Sequence, residues 1–144
     1  MYNYALILDP NNKKLKEKVA KTKESHNLFG EAEKYYEAKN YIDALKFIHR
    51  ALEFAPIINK NYLLIKGICE YESGDKSKAY ETFKQYIEIE SEKSVQVFFM
   101  SGRILLELNQ PQKAQSYFKE GLKIEPQNLE IITYISKIIA QKQQ

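Results

Sequence analysis

The stretch SGDKSKAYETFKQYIEI, residues 73–89, contains the pattern that decides the fold. Ala79, Phe83 and Ile89 each have a similar residue 35 positions earlier and 35 positions later. Several columns in register across three units indicate an internal repeat, which points to an array of similar structural units. The columns are Ala32/Gly67/Gly102, Ala44/Ala79/Ala114, Ile48/Phe83/Phe118, Phe54/Ile89/Ile124 and Pro56/Ser91/Pro126.

Each unit has the pattern of two helices joined by a tight turn. Apolar residues recur at intervals of three and four, the period of an α-helix. The units divide near residues 38–40, 73–75 and 108–111. Gly74 followed by Asp75 suits a helix C-cap and then an N-cap, and Pro111 suits the first turn of a new helix. The sequence therefore predicts an all-α fold of three helical hairpins.

The two columns of small residues predict how each hairpin closes. Helix axes approach to about 8–10 Å only where the side chains between them permit it. We therefore expect the small column on the first helices (residues 32, 67 and 102) to face the alanine column on the second helices (44, 79 and 114). Phe83 and Phe118 are expected to fill the wedge between successive hairpins.

This succession of a small residue, Ala-x-x-x-Phe and Pro resembles the tetratricopeptide repeat, over residues 25–128. The departures are mild, since Ile48 replaces Phe and Ser91 replaces Pro. The resemblance implies a solenoid with repeats at 13–58, 59–93 and 94–126. Residues 127–144 are expected to form an amphipathic helix that caps the solenoid core. Its predicted core-facing residues are Leu129, Ile131, Ile132, Ile135, Ile138 and Ile139.

The chain opens with a fragment that is similar to the end of a second helix. Residues 5–10, ALILDP, share the Ala-Leu-x-x-x-Pro spacing of residues 51–56. We expect residues 1–12 to be the end of a truncated preceding repeat, in which case the natural chain extends upstream. An ordinary short helix that ends at Pro10 is the alternative. Residues 13–25 contain no helix breaker, so a single long helix is predicted over 13–38.

One group of proteins shares this arrangement. The long charged helix and the heptapeptide RALEFAP, residues 50–56, are similar to features of the tetratricopeptide co-chaperones of the DnaJ class. In those proteins several repeats precede a C-terminal J domain. No His-Pro-Asp triplet, the hallmark of a J domain, occurs in this sequence. The resemblance therefore implies a middle segment of such a co-chaperone.

Composition and motifs argue against several other classes. The net charge is only +3 over 144 residues, and the lysine run 13–23 contains no arginine or aromatic residue, so nucleic-acid binding is not expected. No apolar run approaches the roughly 20 residues that span a bilayer. With one cysteine, Cys69, expected to be a buried thiol, a cytoplasmic or nuclear location is predicted. His26 and His49 belong to no catalytic or metal-binding pattern, so neither an enzyme nor a cofactor is expected.

The expected functional surface is the concave groove that first helices form in tetratricopeptide arrays. The positions three before, one after and four after each small residue share one helical face. These positions are mostly apolar, which favours a hydrophobic peptide ligand. The predicted groove residues are Phe29, Glu33, Tyr36, Leu64, Ile68, Tyr71, Phe99, Arg103 and Leu106.

The resemblance also allows one known mode of binding to be checked. Some tetratricopeptide domains grip the acidic C-termini of heat-shock chaperones with a carboxylate clamp of lysine, arginine and asparagine. A carboxylate needs cationic or amide donors, and the matching positions here supply one amide and one repelling acid. Those positions hold Phe29, Glu33, Ile65, Gln96 and Met100.

These observations predict a non-catalytic protein–protein interaction module. The first hypothesis is a co-chaperone segment whose apolar groove binds an extended peptide, from a heat-shock chaperone or its client, without the clamp. The alternative is a structural scaffold subunit of a large assembly. A co-chaperone segment should bind unstructured peptides transiently, whereas a scaffold should hold one folded partner.

Overall fold

A computed structural model describes residues 7–55, 60–89 and 94–143. These residues are helical or form the short turns between helices, so the all-α prediction is confirmed. By contacts, the chain divides into two compact units, Met1–Cys69 and Glu70–Gln144. The helices are α1 (Lys13–Glu37), α2 (Tyr41–Phe54), α3 (Lys60–Glu72), α4 (Lys76–Ile89), α5 (Val95–Glu107), α6 (Pro111–Ile124) and α7 (Leu129–Lys142).

Helix α1 is one continuous helix, as the absence of breakers predicts. It begins after Asn12, whose side chain accepts a hydrogen bond from the backbone N–H of Leu15 at 3.0 Å. Ser25 donates to the carbonyl of Ala51 at 2.8 Å, three residues before α2 ends. Because α1 has 25 residues and α2 has 14, the N-terminal part of α1 extends past the end of α2.

Half of the preceding half-repeat predicted over residues 1–12, residues 1–6, lies outside the described residues. Ile7 and Leu8 are helical, and residues 9–12 lead into α1. The boundaries proposed for the repeats and for this half-repeat stay predictions.

The turns within the three hairpins repeat one backbone geometry at the 35-residue period. Lys39, Gly74 and Asn109 have positive φ angles of 60°, 94° and 59°. In each turn the next residue's N–H donates to the carbonyl five residues before it, over 2.8–2.9 Å. This is the Schellman ending of a helix, which satisfies carbonyls that the last turn would otherwise leave unpaired.

The residue that completes each Schellman turn also starts the next helix. Asn40 and Asp75 accept hydrogen bonds from the backbone three residues on, at 3.3 and 3.2 Å. The third turn has Gln110, which forms no side-chain cap, followed by Pro111 in the first turn of α6. The capping roles predicted for Gly74, Asp75 and Pro111 are therefore confirmed.

The repeat columns form the cores of the hairpins. The alanine column is fully buried, and Ile48, Phe83 and Phe118 are at most 1% exposed. The glycine of the third hairpin also makes room for an aromatic ring. A Cβ atom on Gly102 would lie 2.7 Å from Cδ1 and Cζ of Phe118, in the same hairpin. The facing of Gly102 and Ala114 stays a prediction.

The aromatic ring of Phe118 also contacts the last helix. It stacks on Tyr134 of α7, with ring centroids 5.5 Å apart and planes 25° apart. The prediction that Phe118 fills the space between its hairpin and the next element is therefore confirmed, because its ring contacts both α5 and α7.

Helix α7 packs on α6 with only part of its predicted apolar set. Ile131 and Ile138 are 0% and 2% exposed, and Ile135 is half-buried. Together with Tyr134 they lie at a spacing of three and four, on one helical face. The prediction was wrong for Leu129, Ile132 and Ile139, which are 77%, 38% and 44% exposed. They lie outside the packed face of α7, Ile132 and Ile139 on its flank and Leu129 nearly opposite it, because one helix face is enough to cover α6.

Candidate functional site

Two of the predicted groove residues lie in the core of the first unit. Phe29 is 3% exposed, and its ring centroid lies 3.4 Å from that of Tyr62 on α3. Ile68 is 8% exposed. Side chains this deeply buried leave little surface for a ligand, so neither can anchor a peptide without a rearrangement.

The other predicted groove residues of the first unit are more accessible. Glu33 is exposed, Leu64 is half-buried, and half-buried Tyr36 meets Tyr41 edge-on with centroids 6.2 Å apart. An open cavity of about 520 Å³ borders Glu33, along the C-terminal half of α1. Its lining is polar and includes three acidic residues: His26, Asn27, Gly30, Glu31, Glu33, Lys34 and Glu37.

A hydrogen bond closes one end of this polar region. The hydroxyl of Tyr62 lies 2.6 Å from Nδ1 of His26. Burial raises the pKa of Tyr62, and the negative charge of Glu33 raises it further. Tyr62 therefore stays protonated at neutral pH, so it can donate to His26.

In the second unit the predicted groove residues come together around Arg103. The guanidinium carbon of Arg103 lies 5.8 Å from the ring centroid of Tyr71 and 5.6 Å from that of Phe99. Both distances fall within the roughly 6 Å range of cation–π attraction. Leu106, the remaining predicted residue, is half-buried against the core of this unit.

Hydrogen bonds and an ion pair hold the tyrosine of this cluster. Tyr71 donates to Oε1 of Glu107 at 2.8 Å and accepts from Nη2 of Arg103 at 3.4 Å. The other carboxylate oxygen of Glu107 lies 3.5 Å from Nζ of Lys76. Burial raises the pKa of Tyr71, and the hydrogen bond to Glu107 raises it further, so the hydroxyl remains a donor across the physiological range.

An open cavity of about 400 Å³ lies beside Arg103. Phe99 and Tyr134 meet edge-on in its wall, with centroids 5.6 Å apart. The cavity thus combines aromatic and aliphatic surface with a cation and a carboxylate. Its lining residues are Phe99, Arg103, Leu129, Glu130, Thr133 and Tyr134.

Sequence reasoning missed several contributors to this site, among them Glu107, Glu130 and Tyr134. Glu107 lies one residue after a predicted groove position, and its partner Tyr71 is 36 residues earlier, one more than the repeat period. That offset is a signal that could have found the pair. Glu130 and Tyr134 belong to α7, which was interpreted only as a cap.

The clamp positions carry no cationic side chain in the structure either. Phe29 is buried, Ile65 and Met100 are half-buried, and Glu33 and Gln96 are exposed. The two accessible side chains are thus a carboxylate and an amide. At these five positions a carboxylate ligand would be repelled by Glu33 and would meet one neutral donor, the amide of Gln96.

Other classes of site were sought in the part of the chain that the structure describes. No group of three or more His, Cys, Asp or Glu side chains lies close enough to hold a metal ion there. The thiol of Cys69 is fully buried, as predicted, and His49 is exposed. None of the described helices combines the length and the apolar character needed to cross a membrane.

Sequence comparison identifies one repeat directly. Residues 95–128 match the tetratricopeptide repeat family. This match spans α5, α6 and the turn that leads to α7, so it covers the third predicted repeat. No protein with a curated description matches the sequence at a significant level.

Structural comparison extends the match from one repeat to the fold. The P58(IPK) TPR domain superposes with a TM-score of 0.82 at 16% identity, covering 94% of this chain and 37% of that one. The first TPR of Spaghetti (RPAP3), bound to the HSP90 peptide SRMEEVD, gives 0.72 at 15% identity over 85% and 96%. The type III secretion chaperone SycD of Yersinia enterocolitica, in complex with a YopD peptide, gives 0.69 at 17% over 81% and 93%.

These comparisons and the hairpin geometry define the class of protein. The fold is that of tetratricopeptide repeat domains, with helices paired as helix-turn-helix units. Residues 95–128 are a tetratricopeptide repeat by sequence as well as by structure.

Proposed function

We propose that the chain is a non-catalytic protein–protein interaction module that binds an extended peptide without a carboxylate clamp. The observation that carries this proposal is the cluster of Tyr71, Arg103 and Phe99 beside an open cavity. Aromatic and arginine side chains dominate the binding energy of many interfaces. The peptide complexes of two proteins with the same fold, Spaghetti (RPAP3) and SycD, support the choice of a peptide as ligand.

The finer proposal is that this module is a segment of a DnaJ-class co-chaperone. It rests on the long charged helix α1 and the heptapeptide at residues 50–56. In that setting the ligand is a segment of a heat-shock chaperone or of its client. The full-length gene product should then contain a His-Pro-Asp triplet downstream, which sequencing of the transcript would reveal.

A scaffold subunit is the second candidate, and one observation favours it. Leu129, Ile132 and Ile139 form an exposed apolar strip on α7, of which Ile132 and Ile139 lie outside the lining of the cavity. A strip of this kind suits a stable contact with a folded partner better than a transient one with a peptide.

The test is selection from a library of random dodecapeptides, followed by titration of a selected peptide. Phe99→Ala should weaken binding about tenfold or more, because truncating an aromatic anchor typically costs over 1 kcal/mol. Phe47→Ala is the matched control, since Phe47 is a half-buried ring stacked on Tyr35 in the other unit. Failure to enrich any peptide would overturn the proposal and favour the scaffold.

A further inference from the structure

We propose that Arg103 is the receptor for an acidic side chain of the bound peptide, next to an apolar side chain that fills the adjoining cavity. This inference rests on the proposed function and names the chemistry of its ligand. The partner is therefore an internal peptide segment in which Asp or Glu lies within a few residues of a large apolar residue.

The first support is the unused hydrogen-bonding capacity of Arg103. A guanidinium has five N–H donors in a planar fork that matches a carboxylate. In the described part of the chain, Arg103 makes one hydrogen bond, the 3.4 Å contact with Tyr71, and no ion pair. The acid nearest in sequence, Glu107, is already bound to Tyr71 and Lys76. The positive charge of Arg103 is thus left for a ligand.

The second support is the way in which the guanidinium is held. Rings of Tyr71 and Phe99 flank it at 5.8 and 5.6 Å, and the hydrogen bond from Tyr71 to Glu107 fixes one of these rings. A side chain that is held before binding loses less conformational freedom when the ligand arrives. The arrangement is therefore preorganised for a planar anion.

The third support is the apolar wall beside it. Phe99, Tyr134 and Leu129 line the cavity, and Leu129 is 77% exposed. A volume of about 400 Å³ accommodates a large apolar side chain. Burying such a side chain is favourable because it removes apolar surface from water. The same peptide can therefore place an apolar residue here while its acidic residue reaches Arg103.

The shape and charge of the rim favour a side-chain carboxylate over a chain end. Leu129, Glu130 and Thr133 are all exposed, so the cavity is open and a chain can pass through it. An acidic C-terminal residue would bring two carboxylates, and Glu130 on the rim would repel the second. Arg103 has the repeat position of Glu33 but lies in the third unit, where the clamp positions are 96 and 100, so it is none of the five clamp positions.

The test uses dodecapeptides with blocked termini, acetylated and amidated, displayed as a random library. Wild-type protein should enrich Asp or Glu within about three residues of a Leu, Ile, Phe or Met. For a selected peptide, Arg103→Gln should weaken binding about tenfold or more, since hydrogen bonds to charged groups are worth about 1.5–3 kcal/mol. Arg50→Gln is the matched control, because Arg50 stacks on Phe47 at 5.6 Å in the other unit. The Arg50→Gln variant should bind the selected peptide with the affinity of the wild type.

A charge exchange tests direct contact. Arg103→Glu should abolish binding of the selected peptide. Binding to this variant should return when the acidic residue of the peptide is changed to Lys. Arg103→Lys, which keeps the charge but loses the planar fork, should show an intermediate loss. Thermal melting of each variant checks the fold, and a destabilised variant would not regain binding to an exchanged peptide.

The failures of the two proposals are distinguishable. Enrichment of apolar peptides without acidic residues, or an affinity that Arg103→Gln leaves unchanged, would overturn this inference while leaving the proposed function intact. A dependence on Arg103 that appears only with a free C-terminal carboxylate would overturn the side-chain assignment. If no peptide is enriched, both proposals fall.

Discussion

At the scale of single residues, the absence of one carbon atom decides how the third hairpin packs. Gly102 leaves the space that the ring of Phe118 occupies, and any side chain there would compete with that ring. Gly30, on α1, is the opposite case, because an added Cβ would meet no atom within 4 Å. A side chain would therefore be accommodated at Gly30 and would clash with a core ring at Gly102.

This contrast gives a matched pair of substitutions. Gly102→Ala should destabilise the fold by about 1–3 kcal/mol, and Gly102→Leu by more, because the core must be overpacked. Gly30→Ala should stabilise it by up to about 1 kcal/mol through helix propensity. Urea denaturation of the variants measures both effects. Equal changes in the free energy of unfolding for the two alanine variants would show that the Gly102–Phe118 packing is misassigned.

Ala79 provides a further check of the repeat register. It is fully buried, in the column shared with Ala44 and Ala114. Ala79→Leu should therefore cost about 1–3 kcal/mol or more. A melting temperature within a degree or two of the wild type would contradict the assigned register.

At the scale of elements, the turns show which features of the sequence were readable. Gly74, Asp75 and Pro111 predicted their caps because each residue type has a backbone reason for its position. Lys39 and Asn109 have the same left-handed conformation as Gly74, although neither the lysine nor the asparagine identifies it alone. The 35-residue period from Gly74 is the signal that links the three turns.

The lysine in the first turn predicts a stabilising substitution. Left-handed backbone costs a residue with a Cβ about 1–2 kcal/mol, whereas glycine adopts it freely. Lys39→Gly should therefore stabilise the first hairpin by up to about 1 kcal/mol, and Gly74→Ala should destabilise the second by a similar amount. Thermal denaturation of both variants checks the signs. Asn109→Gly should have a smaller effect than Lys39→Gly, because asparagine tolerates this conformation.

The last helix shows where element-level reasoning reached its limit. Its isoleucines and leucine cover more than one face, so the sequence could not tell which face packs on α6. The structure selects the face of Ile131, Tyr134 and Ile138. The groove prediction met the same limit: its helical spacing correctly placed Tyr71, Phe99 and Arg103 together but could not foresee that Tyr62 covers Phe29.

At the scale of the whole molecule, most of the fold could be predicted from the 35-residue period. A repeat of this length with small residues at fixed positions encodes a series of helical hairpins whose small residues are buried. The candidate site was only half predictable. It needs Tyr134 and Glu130 from α7, whose approach to α5 depends on tertiary packing.

The molecule as a whole should not bind the acidic chaperone tail in the clamp mode. The five clamp positions offer no cation, and exposed Glu33 would repel an incoming carboxylate. We expect titration with the peptide SRMEEVD to show no micromolar affinity that depends on its terminal carboxylate. Amidated and free peptides should therefore behave alike. Micromolar binding that disappears on amidation would contradict the groove assignment.

The long first helix has a consequence for the exchange of its amide hydrogens with solvent. Its first turn contains no acidic residue, and Lys13, Lys14 and Lys16 lie where the helix dipole disfavours cations. Before Ser25 the one side chain of α1 that is buried is that of Val19, whereas Leu28, Phe29 and Ala32 after it pack into a core. Protection factors measured by mass spectrometry should therefore rise along α1, from lower values before residue 20 to those of global unfolding after Leu28. Added salt should slow exchange in the lysine-rich turns and leave the packed half unchanged, since screening relieves only the surface repulsion. Uniform protection along α1 would mean that its two halves open as one unit.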